Sequence, residues 1–487
     1  MGRAYTVASG TFLAIGGFLF GFDSGIITST IAQPHFVDYF ESPNDDTEGG
    51  IVSSFQGGAI LGTMINFVTG KSPGDKLGRK KTIFVGSVVA ALGCALQAGA
   101  VSMAMLIVGR FVAGVAVGML TSTIPMYAGE ISEPKYRGVL SGLLQWFLSW
   151  GFLVAQWLGY GCSFVDNQFQ WRFPLAFQCV PALVLMSGVW FLQESPRWLM
   201  ERDRPEEALA ALKKLHGDGS NDEYIELEFR EIRDVIAADR ATTDITWSSI
   251  FQKPSWRRRL LLGCGVQAFG PLSGINVINY YGPAIYKQLG IGTQESLMII
   301  GISGALSIVY CTIGLWAVDR IGRVKPLIVS AAGCALALVA NAAMSQHMDS
   351  AGPNQLRAMV AMNFVFSLFY TPTGIISWTY PAEIFPVDIR AKGNSISTFT
   401  NWTINLIFAQ ISPKALTNIG FRYFYVFFVF GIVATVCYIL FFPETKGKTL
   451  EQMDELFGDQ VVPHALQDPE AAAAAMEKGA LERVEGI

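Results

Sequence analysis

Carboxamides recur inside otherwise apolar stretches of this chain, at spacings that bring them onto shared helix faces. Gln145 and Gln156 stand eleven positions apart. At about 100° per residue that is roughly 20° beyond three full turns, so one helix shows both on one side. Asn276, Asn279 and Tyr280 fall at i, i+3 and i+4, and Asn401 and Asn405 at i and i+4 with Trp402 between them. Trp378 follows Thr371-Pro372-Thr373-Gly374, and Gln267 stands one turn before Pro271. An amide offers donors and an acceptor together. Such a set suits a neutral, hydroxyl-rich solute whose C–H face stacks on an aromatic ring. A single buried amide is more often a hydrogen bond between helices; recurrence over several stretches favours a site. Asp23 and Arg110 share these apolar surroundings. A charge at the centre of a membrane helix costs about 2.5–3.5 kcal/mol. Asp23 is about 12 Å and Arg110 about 9 Å from the same end of its stretch, so a pair is feasible.

Other chemistry is missing. The seven Cys (94, 162, 179, 264, 311, 334 and 437) have irregular spacing and sit in or beside apolar stretches, as small packing residues do. The four His (35, 216, 347 and 464) are scattered. No metal site, cofactor loop or nucleophile–base pair is visible, so neither a cofactor nor an enzyme is expected.

The elements that must position these residues follow from composition. Hydrophobic residues make up 51% of the 487 and charged residues 15%, with mean hydropathy +0.38. Soluble chains carry about 25% charged residues, which argues against a soluble enzyme, disorder or a coiled coil. A net charge of −4 offers nucleic acid nothing. A bilayer-spanning helix needs about 20 mostly apolar residues. Twelve stretches qualify: 6–31, 49–69, 82–101, 104–127, 139–161, 172–192, 258–285, 294–317, 325–345, 355–380, 393–416 and 420–442. Backbone groups cannot go unpaired in lipid, so these are helices. With both termini inside, 29 of the 35 Lys and Arg lie on the cytoplasmic side, 5 outside and 1 within a span, a strong orientation signal. Apolar sequence begins at once and runs too long for a cleavable signal peptide.

Three motifs occur twice. Asp75-Lys76-Leu77-Gly78-Arg79 returns as Asp319-Arg320-Ile321-Gly322-Arg323. Glu130-Ile131 with Arg137 returns as Glu383-Ile384 with Arg390. Glu194-Ser195 returns as Glu444-Thr445. They follow the second, fourth and sixth span of each half. The expected fold is an all-α membrane protein of twelve helices in two six-helix bundles, 1–192 and 258–442. A cytoplasmic helical linker, 193–257, joins them, and a cytoplasmic tail covers 443–487. Parallel repeats of this kind place a solute site at the midplane between halves that rock about it.

At these residues the chain resembles the sugar porter family of the major facilitator superfamily, fungal members above all. The strings are Gly-Arg-Lys-Lys at 78–81, Pro125-x-Tyr127-x-x-Glu130-Ile131-Ser132 with Arg137-Gly138, and Glu194-Ser195-Pro196-Arg197-Trp198. Ser273-Gly274-Ile275-Asn276 with Tyr280-Tyr281, Pro381-Ala382-Glu383-Ile384-Phe385-Pro386 with Arg390, and Pro443-Glu444-Thr445-Lys446-Gly447 complete them. The resemblance implies a multi-pass plasma-membrane transporter, monomeric, that moves a monosaccharide, hexose or pentose, by alternating access. It implies sugar contacts at Gln145, Gln156, Asn276, Trp378 and Asn405. Gln267, Asn279, Tyr280 and Asn401 join them on their placement alone. It also implies a proton site at Asp23, modulated by Arg110, in those members that are symporters. By the same resemblance, Asp75, Arg79, Glu130, Arg137, Glu194 and Arg197 face Asp319, Arg320, Arg323, Glu383, Arg390 and Glu444, in salt-bridge networks that latch the cytoplasmic side. The chain departs from the family pattern at Gly270 and Pro271, where a Gln pair is usual, and at Ser307, where an Asn is common; Gln267 is a candidate substitute. Proton symport is the first reading. A facilitated-diffusion uniporter, a sugar-acid or quinate porter with Arg110 as carboxylate partner, and a transporter-like sugar sensor stay open.

Overall fold

In the computed structural model, residues 2–68, 77–132, 137–217, 222–241, 247–345, 353–386, 389–446, 448, 453 and 455–458 are described. Among them the ordered elements are helices, with no strand. Twelve spans appear. The first five are Gly2–Ile31, Asp45–Val68, Arg79–Ala98, Met103–Ile131 and Arg137–Cys162. The sixth is split into Phe169–Phe177 and Cys179–Gly188, and the seventh into Pro254–Leu272 and Ile275–Gln288. The last five are Thr293–Ile321, Val324–Ser345, Pro353–Ile384, Arg390–Ile419 and Phe424–Phe441. By length and hydropathy alone, nine described stretches could cross a membrane, one of which, Lys392–Phe441, runs over the last two spans. The second and fifth spans, each of which runs into residues whose side chains are not described, are not among the nine.

Several helices outrun the apolar stretches that announced them. The fourth ends at Ile131 and the tenth at Ile384, because each carries its polar motif on a further helical turn. A short helix at Pro34–Tyr39 follows the first span, with proline in its first turn. The break in the seventh span has a local cause. Gly274 adopts φ +88°, a left-handed conformation that glycine tolerates and that stops Pro254–Leu272 before Ile275 starts anew.

Helices of each half pair in the same order: first with fifth, second with fourth, third with fourth and sixth; then seventh with eleventh, eighth with tenth, ninth with tenth and twelfth. The first and fifth spans approach backbone to backbone. A Cβ on Gly21 or Gly151 would run into the carbonyls of Leu148 and Phe18. Between the halves, the second span packs along the eleventh and the fifth along the eighth, and the first touches the later segment of the seventh.

The linker forms Pro196–Glu201, Pro205–His216, Asp222–Ala241 and Trp247–Gln252. Ala208, Ala211, Leu212 and Leu215 are buried at helical spacing, as the linker's apolar pattern requires. The side of the molecule carrying these helices is called the linker face, and the opposite side the far face.

Candidate functional site

The amides on the seventh and eleventh spans form one chain of hydrogen bonds. Asn276 Nδ2 donates to Asn405 Oδ1. Asn405 Nδ2 donates to Asn401 Oδ1 at 2.8 Å, and Asn401 Nδ2 donates to Gln267 Oε1 at 2.8 Å. Gln267 Nε2 ends the chain on the Ser377 carbonyl of the tenth span, at 2.8 Å. Trp378, half-buried, is the next residue along. The i, i+4 spacing of Asn401 and Asn405 therefore makes an internal link as well as a shared face. Gln267 has both ends of its amide engaged by helices, since Asn401 and the tenth span lie beside it. Ser307 turns its hydroxyl onto its own helix, donating to Gly304 O at 2.9 Å.

The fifth span's amides behave differently. Gln156 is buried; its Nε2 donates to Gly25 O of the first span at 3.0 Å while its Oε1 has no partner. Gln145 is half-buried, and its backbone carbonyl accepts from Ser149 Oγ at 3.4 Å. On the seventh span the Asn279 carbonyl accepts from Thr28 Oγ1 at 2.6 Å, tying that span to the first.

Asp23 and Arg110 meet. Both are almost wholly excluded from solvent, at 1% and 0% exposure. Arg110 Nη1 lies 3.5 Å from Asp23 Oδ1 and donates to the Asp23 carbonyl at 3.1 Å. The guanidinium sits 4.7 Å over the Phe55 ring, and its Nε and Nη2 have no partner. Gln56 is fully buried beside the Tyr280 hydroxyl, which also lies within electrostatic reach of Arg110 and Asp23. Neither polar atom of the Gln56 amide makes a well-formed hydrogen bond. Sequence reasoning passed over Gln56. It stands seven residues into the second stretch, at a depth close to that of Asp23, and that match in depth was the available signal. Buried polar groups are normally paired, so this cluster has unmet hydrogen-bonding capacity for water or solute.

At the linker face the duplicated motifs fold into duplicated geometry. Arg79 grips Glu130 with two prongs, Nε to Oε2 at 3.0 Å and Nη2 to Oε1 at 2.8 Å. Arg323 grips Glu383 through Nε at 3.1 Å and Nη2 at 2.8 Å to Oε1. Such bidentate charged bonds are the strong class. Glu194 accepts from the backbone N–H of Arg79 at 3.0 Å, and Glu444 from those of Arg323 at 2.8 Å and Val324 at 3.0 Å. A carboxylate at a helix start satisfies its free N–H groups. Gly78 and Gly322, at φ +91° and +111°, have no side chain to cap with; a Cβ there would crowd the same Glu194 and Glu444 carboxylates.

Each of these bonds lies within one half; the resemblance implied facing sets across the halves, and several members of those sets have partners outside the described residues. Arg197 lies 4.0 Å from Glu201 on its own helix. Arg320 stacks 4.5 Å over Trp316, and Arg390 Nε donates to Phe385 O at 3.2 Å. Asp75 and the side chains of Arg137 and Asp319 lie outside the described residues. Polar ties join the halves at both levels: toward the linker face Trp146 Nε1 donates to Thr312 Oγ1 at 3.2 Å, and others lie toward the far face. Lys414 Nζ is 3.3 Å from Asp46, Gln410 Nε2 donates to Asp46 O at 3.1 Å, and Ser53 Oγ donates to Gln410 Oε1 at 2.6 Å. No group of three or more potential metal ligands occurs among the described residues.

A profile of the family described as "Sugar (and other) transporter" matches residues 10–457. The chain is 37% identical over 466 residues to the MFS-type transporter criB of Aspergillus cristatus, covering 95% of this chain and 96% of that one. It is 34% identical over 474 residues to a high-affinity glucose transporter of Kluyveromyces lactis, covering 93% of this chain and 85% of the relative. Among solved structures, the proton:xylose symporter XylE bound to 6-bromo-6-deoxy-D-glucose superposes with a TM-score of 0.77 at 24% identity, over 94% of this chain and all of that one. That likeness shows the fold. Matched over residues 10–457 by the family profile and over more than nine-tenths of its length by relatives above 30% identity, this multi-pass membrane protein belongs to the sugar transporter family of the major facilitator superfamily.

Proposed function

We propose that the chain carries a monosaccharide, hexose or pentose, across the plasma membrane by alternating access, coupled to a proton at Asp23. Both termini and the linker are then cytoplasmic, as the Lys and Arg distribution argues. The bundles 1–192 and 258–442 rock about the midplane, joined by 193–257, and 443–487 forms the tail. The observation that carries the reading is the fully buried Asp23–Arg110 pair with two guanidinium nitrogens unpaired. Tyr280, beside that pair, shares the seventh span with Asn276, the first link of the amide chain. One helix therefore touches both the charge and the hydrogen-bonding set. Protonation of Asp23 would remove Arg110's counter-charge, and the freed guanidinium would seek other acceptors. Gln56 Oε1 and Gln156 Oε1 are unoccupied acceptors in the same bundle.

Sugar hydroxyls would compete with the amides for one another. Asn276, Asn279, Asn401, Asn405 and Gln267 form or flank the chain; Gln145, Gln156, Tyr280 and Trp378 complete the proposed contacts. The relative named as a glucose transporter supports a hexose. The linker-face bonds of Arg79, Arg323, Glu130, Glu383, Glu194 and Glu444 set the balance between conformations, with Asp75, Arg137, Arg197, Asp319, Arg320 and Arg390 as further members.

The test is uptake by the reconstituted protein. Adding sugar should alkalinise a weakly buffered medium. Asp23→Asn should abolish accumulation while exchange of labelled for unlabelled sugar persists. Uptake without proton movement would instead establish facilitated diffusion. Competition of glucose uptake by xylose and galactose, set against galacturonate and quinate, separates neutral sugars from acids.

A further inference from the structure

His216 closes the linker helix Pro205–His216 and is 1% exposed. Its two ring nitrogens meet two acceptors. Nε2 lies 3.0 Å from the carbonyl of Ile131, the last residue of the fourth span, and Nδ1 lies 2.8 Å from Glu228 Oε2 on helix Asp222–Ala241. A carbonyl can only accept. An ionised carboxylate can only accept. A neutral imidazole has one N–H, so it satisfies one of them. Two donors require the doubly protonated ring. The next residue inward on the fourth span is Glu130, the partner of Arg79, and the neighbouring Leu215 carbonyl accepts from Thr6 Oγ1 of the first span at 2.7 Å. The ring therefore pins two linker helices to the span ends that carry the linker-face ion pair.

We infer that His216 is a second proton-binding site, outside the transport path, whose bound proton clamps the linker to the fourth span. The clamp makes two bonds when the ring carries both protons and one when it carries a single proton. It tightens on acidification and loosens as pH rises. Among the described residues, the charged and titratable groups at or beside its contacts include Glu228, Glu130, Lys213, Lys214 and Tyr5. Glu130 is neutralised by Arg79. Lys213 and Lys214 are exposed, and Lys214 stands 5.3 Å over the Tyr5 ring. Glu226 and Arg230 pair with each other at 3.6 Å on the exposed side of the second linker helix. Glu228 is thus the carboxylate whose charge the imidazolium answers. That the sensed pH is cytoplasmic rests on the orientation proposed above; the proton site itself does not.

The experiment uses the purified full chain in lipid nanodiscs, without any transport measurement. Nitrogen-15 spectra of the four histidines, with His216→Gln used for assignment, should show both His216 ring nitrogens protonated wherever the linker is protected from exchange. Amide exchange across 205–216, corrected for intrinsic rates, should speed up about tenfold once that ring deprotonates, as loss of a charged hydrogen bond allows. His216→Gln should abolish this pH dependence. Glu228→Gln supplies a donor to Nδ1, so protection should persist and no longer vary with pH. A His216 ring that is neutral throughout, or exchange in His216→Gln that still follows pH, overturns the proposal. Proton-coupled uptake could fail with these results intact, and the reverse holds equally.

Discussion

Arg79 and Glu130 in the first half make the same two-pronged bond as Arg323 and Glu383 in the second, and Glu194 and Glu444 cap the same helix starts. At mid-membrane the likeness ends. The first half holds a buried charge pair among unpaired atoms: Arg110 Nε and Nη2, both ends of Gln56, Gln156 Oε1 and Ser24 Oγ. The second half holds an amide chain in which each link from Asn276 to the Ser377 carbonyl is made, with Trp402 Nε1, Tyr438 Oη and Asn341 Oδ1 as unpaired atoms elsewhere in that half. Duplication thus preserved what sets the geometry of span ends, while the centres diverged. A region with unmet hydrogen-bonding capacity gains most from an arriving proton or solute. A region already paired changes only if something displaces a partner.

The sharpest way to break the contrast is to unpair the charge. Arg110→Met strands a buried carboxylate and should cost about 3–5 kcal/mol in denaturant unfolding. Asp23→Asn combined with Arg110→Met should recover much of it. If the single and double variants match, the pair contributes little and the first half's asymmetry is ornamental to stability.

On the other side, Asn405→Leu cuts the amide chain at its middle and leaves Asn276 and Asn401 each short of a partner. A loss of about 1–3 kcal/mol is expected, with sugar binding weakened in titration calorimetry. Unchanged binding would separate the chain from the solute.

The linker-face likeness can itself be split by pH. Burial holds the Glu194 carboxyl above the usual glutamate range, although backbone bonds from Lys80, Ser195 and Arg79 and the Lys80 charge oppose it. Burial also raises Glu444, but N–H bonds from Arg323, Lys446, Val324 and Thr445 outweigh it and bring that carboxyl below the usual range. Folding therefore favours protonated Glu194. Its contribution falls as pH rises from the ordinary glutamate range through the raised folded value. Folding favours ionised Glu444. Its contribution is present above the ordinary range and fades as pH drops through the lowered value. With rising pH, the melting temperature of Glu194→Gln should climb relative to wild type and that of Glu444→Gln should fall. Parallel slopes would mean the two caps are equivalent after all.

The smallest effect belongs to the far face. Lys414→Gln removes an exposed ion pair with Asp46, worth about 0–1 kcal/mol and less at high salt. Cysteine labelling from that face should rise by no more than a few-fold; a larger rise would make this tie a principal gate.

Twelve spans and the internal repeat could be read from the chain because apolar length and motif order are properties along a line. The depths of Asp23 and Arg110 were readable for the same reason, as was the shared face of Asn401 and Asn405. Partners were not. Gln267 is spoken for by residues 110 and 134 positions away. The linker-face acids bond within their halves, Gln56 lies against Tyr280, and His216 stands between two acceptors. Each of these outcomes depends on how closely particular helices approach. That distance is decided by side-chain volume at crossings such as Gly21 against Leu148, where a single Cβ would force the spans apart.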